Sequence, residues 1–100
     1  MYGTVAKIKV KPGNEAKLNE LAERWWNERR NKVKGAVSNS VFRTDKNANE
    51  YILVAIFDSK ENYDANANDP EQDKWFQEMV ALFEGEPEWT DGELVFHKHV

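Results

Sequence analysis

The chain has no cysteine in its 100 residues. Disulfide staples, thiolate chemistry and cysteine-based zinc sites are therefore excluded. No apolar run approaches the ~20 residues needed to span a bilayer. A basic surplus is also missing: 14 Lys and Arg stand against 18 Asp and Glu, a net charge of -4. That balance argues against a nucleic-acid partner, which needs a basic face. It equally disfavours docking on an anionic membrane. Residues 1–11 alternate apolar and basic side chains and hold no signal-peptide core. What is present is 40% apolar residue content with twelve aromatics, a globular composition. The expectation is one domain over residues 1–100, small, acidic and cytoplasmic.

Residues 2–10 read as a strand, with Tyr2, Thr4, Ala6, Ile8 and Val10 on one face and Val5, Lys7 and Lys9 on the other. Pro12-Gly13-Asn14 stops it, and Asn14 can cap a helix that runs to about Val33. Leu18, Leu21, Ala22, Trp25, Trp26 and Val33 form its apolar stripe. Gly35 stands where a left-handed residue would close it. A second strand over 36–43 and a polar loop, Thr44 to Asn49, lead to a third strand over 51–57.

Asp58 and Glu61 have capping-box spacing for a short helix to about Ala67. Asp69-Pro70-Glu71-Gln72 opens another: a cap residue, proline at the first helical position, glutamine at the box position. Trp75, Phe76, Met79, Val80, Leu82 and Phe83 give that helix a broad apolar face, ended by Gly85 and Pro87. Asp91-Gly92 reads as a turn, followed by a last strand over 93–100. The order βαββααβ is that of an α+β ferredoxin-like fold: a four-stranded antiparallel sheet with helices on one face.

The third strand carries seven consecutive apolar residues, Tyr51 to Phe57. Ile52, Val54 and Ile56 therefore point away from Leu53, Ala55 and Phe57. Helices cover one sheet face only, and an apolar second face left in water would cost on the order of 25 cal/mol per Å². A homodimer through the sheet face opposite the helices is expected, with an interface of at least ~1,600 Å².

The opening MYGTVAKIKVKPGNEAKLNEL, the KGAV turn into the second strand and YILVAIFDSKENYDANANDPEQDKWF resemble the antibiotic biosynthesis monooxygenase family of dimeric α+β barrels. The resemblance spans nearly the whole chain. It implies two sheets packed back to back and a pocket between helices and sheet in each subunit. Among the activities it brings are cofactor-free oxygenation of polycyclic aromatics, haem degradation and quinol oxidation. The haem-degrading members use an Asn on the first strand with a Trp and a His in the second helical region. The matching stretches here hold Ala6 and Lys7, then Asn66, Trp75 and Phe76, and no His precedes His97. No haem, flavin or other cofactor is therefore expected.

Trp25, Trp26, Trp75 and Phe76 can wall a flat ligand, their indole N–H groups orienting its polar substituents; ordinary core packing at helical spacing is the plain alternative. Met79 belongs to the same wall. Arg29 lies on the stripe with Leu18, Ala22 and Trp25, where it can bind a phenolate oxygen or snorkel outward. Tyr63 and Asn66, one turn apart, can hydrogen-bond a ligand hydroxyl or carbonyl, or serve only to tether the short helix. Glu93, His97 and His99 share one strand parity, yet without a placed third ligand they carry no metal site.

The pocket is expected between the first and third helices and the sheet. Trp25, Trp75, Phe76 and Met79 would form its walls, with Tyr63, Asn66 and Arg29 at its polar end. Tyr63 and Asn66 are the candidate catalytic pair; Trp25, Arg29, Trp75, Phe76 and Met79 are candidate substrate contacts. Together these features and the resemblance imply a cofactor-independent monooxygenase acting on a small aromatic, phenolic or quinol-type molecule. The rival is a non-catalytic ligand-binding or stress-related dimer, whose pocket would lack converging polar groups. An isomerase or lyase of the same fold would want an ionisable acid or base there.

Overall fold

The computed structural model describes residues 1–100. In chain order the elements are β1 (Tyr2–Lys9), α1 (Glu15–Glu28), a 3-10 turn (Arg30–Lys32), β2 (Ala36–Arg43), β3 (Glu50–Phe57), α2 (Lys60–Ala67), α3 (Pro70–Val80) and β4 (Glu88–Glu93). The strands form one antiparallel sheet in the order β2-β3-β1-β4. This is the α+β ferredoxin-like plan, with β1 and β3 central. Register sets the faces: Thr4, Ala6 and Ile8 stand opposite Ala55, Leu53 and Tyr51. These face the helices.

The helix-facing half of β1 is the best-buried part of the chain. Ile8 and Val10 are fully buried, each contributing roughly 1.5–3 kcal/mol by leaving water. Around them pack Leu18 and Leu21 from α1, Tyr51 from β3, Met79 from α3, and Phe83. A second cluster joins Trp25, Val33 and Phe57. An Arg24–Glu78 ion pair crosses from α1 to α3.

Several boundaries differ from those predicted. The first helix ends at Glu28, not near Val33, and a 3-10 turn follows. Val33 has already turned extended, at φ -104° and ψ 106°, which lets it pack with Trp25 and Phe57. Gly35 does take the left-handed conformation, at φ 81°, but as the corner into β2. A Cβ there would collide with Asp58 Oδ1. At α2 the cap is Ser59, whose hydroxyl accepts from Asn62 N–H. Asp58 instead accepts from the Asn62 side chain at 2.8 Å.

The third helix stops at Val80, because Leu82 and Phe83 leave it to meet β1: Lys11 N–H reaches the Leu82 carbonyl, and Phe83 bridges Val10. The last strand is displaced furthest. It occupies Glu88–Glu93 rather than 93–100, so Asp91-Gly92 lies within a strand and is not a turn. Pairing with β1 decides this, setting Trp89 against Ala6, Asp91 against Thr4 and Gly92 against Gly3.

Candidate functional site

Trp25 is buried because the α1 stripe Leu18–Leu21–Trp25 faces the sheet. From α3, Trp75 and Phe76 face the same space beside buried Met79. Between these helices and the sheet lies a cavity of about 400 Å³, within the ~300–1,000 Å³ of small-molecule sites. Trp25, Trp75, Phe76 and Met79 line it, as do Tyr63 and Asn66 from α2. Two-thirds of its lining positions are apolar or aromatic; the polar ones come from β1 (Thr4), β2 (Ser38 and Asn39), α2 (Asn66) and the start of α3 (Gln72 and Asp73).

Tyr63 packs edge-on against Phe57 at 5.5 Å and tilted against Tyr2 at 5.2 Å between ring centroids. Its hydroxyl donates to Asp91 Oδ1 at 3.0 Å. Burial pushes the Tyr63 phenol up to about 12, and the neighbouring Asp91 carboxylate adds to that. Tyr63 is therefore neutral across the physiological range. Asn66 differs in kind: its side-chain Oδ1 is buried and has no hydrogen-bond partner. A buried unpaired polar atom costs roughly 1–3 kcal/mol, so this oxygen favours a donor arriving in the cavity.

Arg29 is not part of the lining. Its guanidinium donates to Asp69 Oδ2 at 3.2 Å and is largely shielded from water. The carboxylate that caps α3 captures the charge that the helical stripe predicts for a ligand. Asp69 in turn is held below the usual carboxylate range by the Glu71 backbone N–H it accepts and by Arg29. The indole N–H groups are also spent: Trp25 donates to Gln72 Oε1 and Trp75 to the Leu21 carbonyl, both at 3.1 Å. Those bonds tie the helices to each other, so the two rings offer a ligand their faces only. Trp26 lies outside the cavity, half exposed, with Arg30 stacked over it. His97 and His99 sit beyond β4 in an exposed segment, and no three metal-ligating side chains come together.

Several lining residues escape sequence reading. Trp89, 5.6 Å from Phe76 between ring centroids, completes the aromatic wall. Its place depends on β4 starting at Glu88, which local pattern does not reveal. Thr4, Leu53, Ala55 and Phe57 supply the sheet floor, and the alternation of β1 and β3 already set them on that face. Gln72 and Asp73, at the start of α3, form the opposite rim. Nothing in their sequence context separates them from solvated helix residues.

The family model for antibiotic biosynthesis monooxygenases matches residues 1–78. The chain belongs to the antibiotic biosynthesis monooxygenase family. That match takes in β1 through most of α3, and with them every cavity residue except Met79 and Trp89. No curated protein matches the sequence. Solved structures bearing the family's name resemble it in fold. One from Caulobacter crescentus has a TM-score of 0.83 at 16% identity, over 95% of this chain and 90% of that one. One from Bordetella bronchiseptica has 0.80 at 18%, over 95% and 97%. A cofactor-independent oxygenase from Streptomyces nogalater has 0.79 at 14%, over 96% and 94%. At such identities the likeness is one of fold. Membership in the antibiotic biosynthesis monooxygenase family supports a monooxygenase activity at that general level.

Proposed function

We propose that this protein is a cofactor-independent monooxygenase acting on a small phenolic or quinol-type aromatic molecule held in the helix–sheet cavity. The observation that carries the reading is the unpartnered Asn66 oxygen at the polar end of a cavity with aromatic walls. Converging polar groups are what a purely apolar binding module would lack. An electron-rich phenol supplies all four electrons that dioxygen needs. One oxygen atom becomes the new ring carbonyl of a quinone, and the other leaves as water with the two hydrogens removed. The cavity's contribution is orientation and exclusion of water: Trp25 and Trp75 hold the ring, while Asn66 and Tyr63 fix its oxygen substituent. Phe76 and Met79 close the wall. Arg29 acts at one remove, keeping α1 on the start of α3.

The same reading takes the sheet's outer face to be covered by a twofold copy of the chain. Val5 and Phe42 there are 47% and 60% exposed in the single chain, beside Ile52, Val54 and Ile56. An apolar patch of that kind favours a partner.

Oxygen uptake tests the activity. With an anthrone or naphthol as substrate, Asn66→Ala and Tyr63→Phe are expected to lower uptake at least tenfold while the melting temperature shifts by no more than a few degrees. Absence of turnover by the parent protein with any such substrate would reduce the assignment to shared fold.

A further inference from the structure

Thr4 and Asp91 face each other across the β1–β4 ladder, and Tyr63 reaches from α2 to the same point. A tyrosine hydroxyl has one proton and two lone pairs. Here the proton is committed to Asp91 Oδ1, 3.0 Å away, and Asp91 lies outside the cavity lining. Thr4 repeats the arrangement: its hydroxyl donates to the Thr90 carbonyl at 3.3 Å. Both side chains line the cavity, and their hydroxyls lie within hydrogen-bond reach of each other; with its proton on Asp91, the Tyr63 oxygen keeps a lone pair for an incoming donor even when it accepts from Thr4. The buried Asn66 oxygen, which has no partner, adds a further acceptor. Behind Tyr63 the Asp91 carboxylate lies within electrostatic reach of the Lys60 ammonium, while Arg29 is taken by Asp69.

We propose that Asp91 is a positioning residue: by holding the Tyr63 proton it makes the Thr4–Tyr63 corner a hydrogen-bond acceptor, so the cavity selects neutral aromatic molecules that present a hydroxyl. The inference rests on the reading of the cavity as an aromatic-ligand site and specifies which aromatics it takes. Free phenols and quinols enter as donors. Their ethers offer the corner no proton, and aromatic carboxylates not only lack a proton to give but set a charged oxygen against its acceptor lone pairs. The high value of the Tyr63 phenol agrees with this, since a tyrosinate would itself repel an anion.

Calorimetric titration with naphthol, its methyl ether and naphthoate at neutral pH tests it. The three share one ring system and differ at one polar group. The parent protein is expected to bind naphthol about tenfold more tightly than the ether, the worth of one hydrogen bond, and naphthoate most weakly. In Asp91→Ala the Tyr63 hydroxyl is free to turn inward, and the naphthol-to-ether ratio is expected to drop to about twofold. Asp91→Asn keeps a carbonyl acceptor for the Tyr63 proton and is expected to retain the preference. Asp91 is exposed, so both variants should melt with the parent. Equal binding of naphthol and ether by the parent, or an unchanged ratio in Asp91→Ala, would overturn the role of Asp91 while leaving the aromatic site standing. Failure of all three compounds to bind would remove the aromatic site itself.

Discussion

The two faces of the sheet are built from the same strands and meet opposite fates. Facing the helices, Thr4, Ala6 and Ile8 of β1 are at most 5% exposed; between them, Val5 is 47% exposed on the other side. Along β3 the residues are apolar on both sides, yet only one side has a layer over it. Alternation therefore assigns each side chain to a face, and the helices decide which face becomes core. The helix layer also fails to fill its own side completely. Trp25, Trp75 and Trp89 line a cavity between the layers, whereas around Ile8 the side chains of Leu18, Leu21, Tyr51, Met79 and Phe83 close into a buried cluster.

The sharpest way to break this contrast is to charge the outer face. If a second copy covers it, Val54→Asp is expected to convert a dimer into a monomer, with light scattering falling from twice 11.6 kDa to 11.6 kDa. The secondary structure should persist, because Val54 points away from the helices. A parent protein that already scatters as 11.6 kDa would leave the outer face solvated and the proposed pairing wrong.

A smaller effect compares the faces residue by residue. Ile8→Ala removes fully buried volume and is expected to cost about 3 kcal/mol in urea unfolding. Val5→Ala, measured in the Val54→Asp background where no partner covers it, is expected to cost less than about 1 kcal/mol. Equal costs would mean that the outer face is as well packed as the inner one.

The smallest effect belongs to the polar corner. Tyr63 has its folded value raised from 10.0 to about 12. Its protonated form is the one that folding favours, so its contribution is fully present below pH 10.0 and is lost as pH rises toward 12. Alkaline unfolding of the parent should steepen across that window, and Tyr63→Phe should remove the extra steepness. A tyrosinate titration by ultraviolet absorbance should lose its late phase in the same variant.

Much of this architecture is legible in the chain. The run Tyr51–Phe57 identifies a central strand apolar on both faces, and the Asp69-Pro70 start of α3 is capped as its residues require, with Asp69 accepting from Glu71 N–H at 2.9 Å. Trp25, Trp75, Phe76, Met79, Tyr63 and Asn66 fall on the faces that meet the cavity. The C-terminal strand lies earlier than its pattern predicts because EWTDGE has no hydrophobic period, whereas the alternating Leu94–Val100 segment has one and pairs with nothing beyond the Leu94 N–H to Met1 carbonyl bond.

By itself, then, the sequence determined the order of elements, the side of β1, β3 and the helices that most residues occupy, and the aromatic character of the space between layers. Those follow from backbone periods of 2 and about 3.6 residues, which are local properties. Only the tertiary structure decided that Arg29 spends its charge on Asp69, that two indole N–H groups bind Gln72 and Leu21, and that Tyr63 gives its proton to Asp91. Each of those choices joins residues 28 to 54 positions apart. A hydrogen bond depends on ångström-scale separation, and between such distant positions that separation is set by sheet register and helix packing rather than by spacing along the chain.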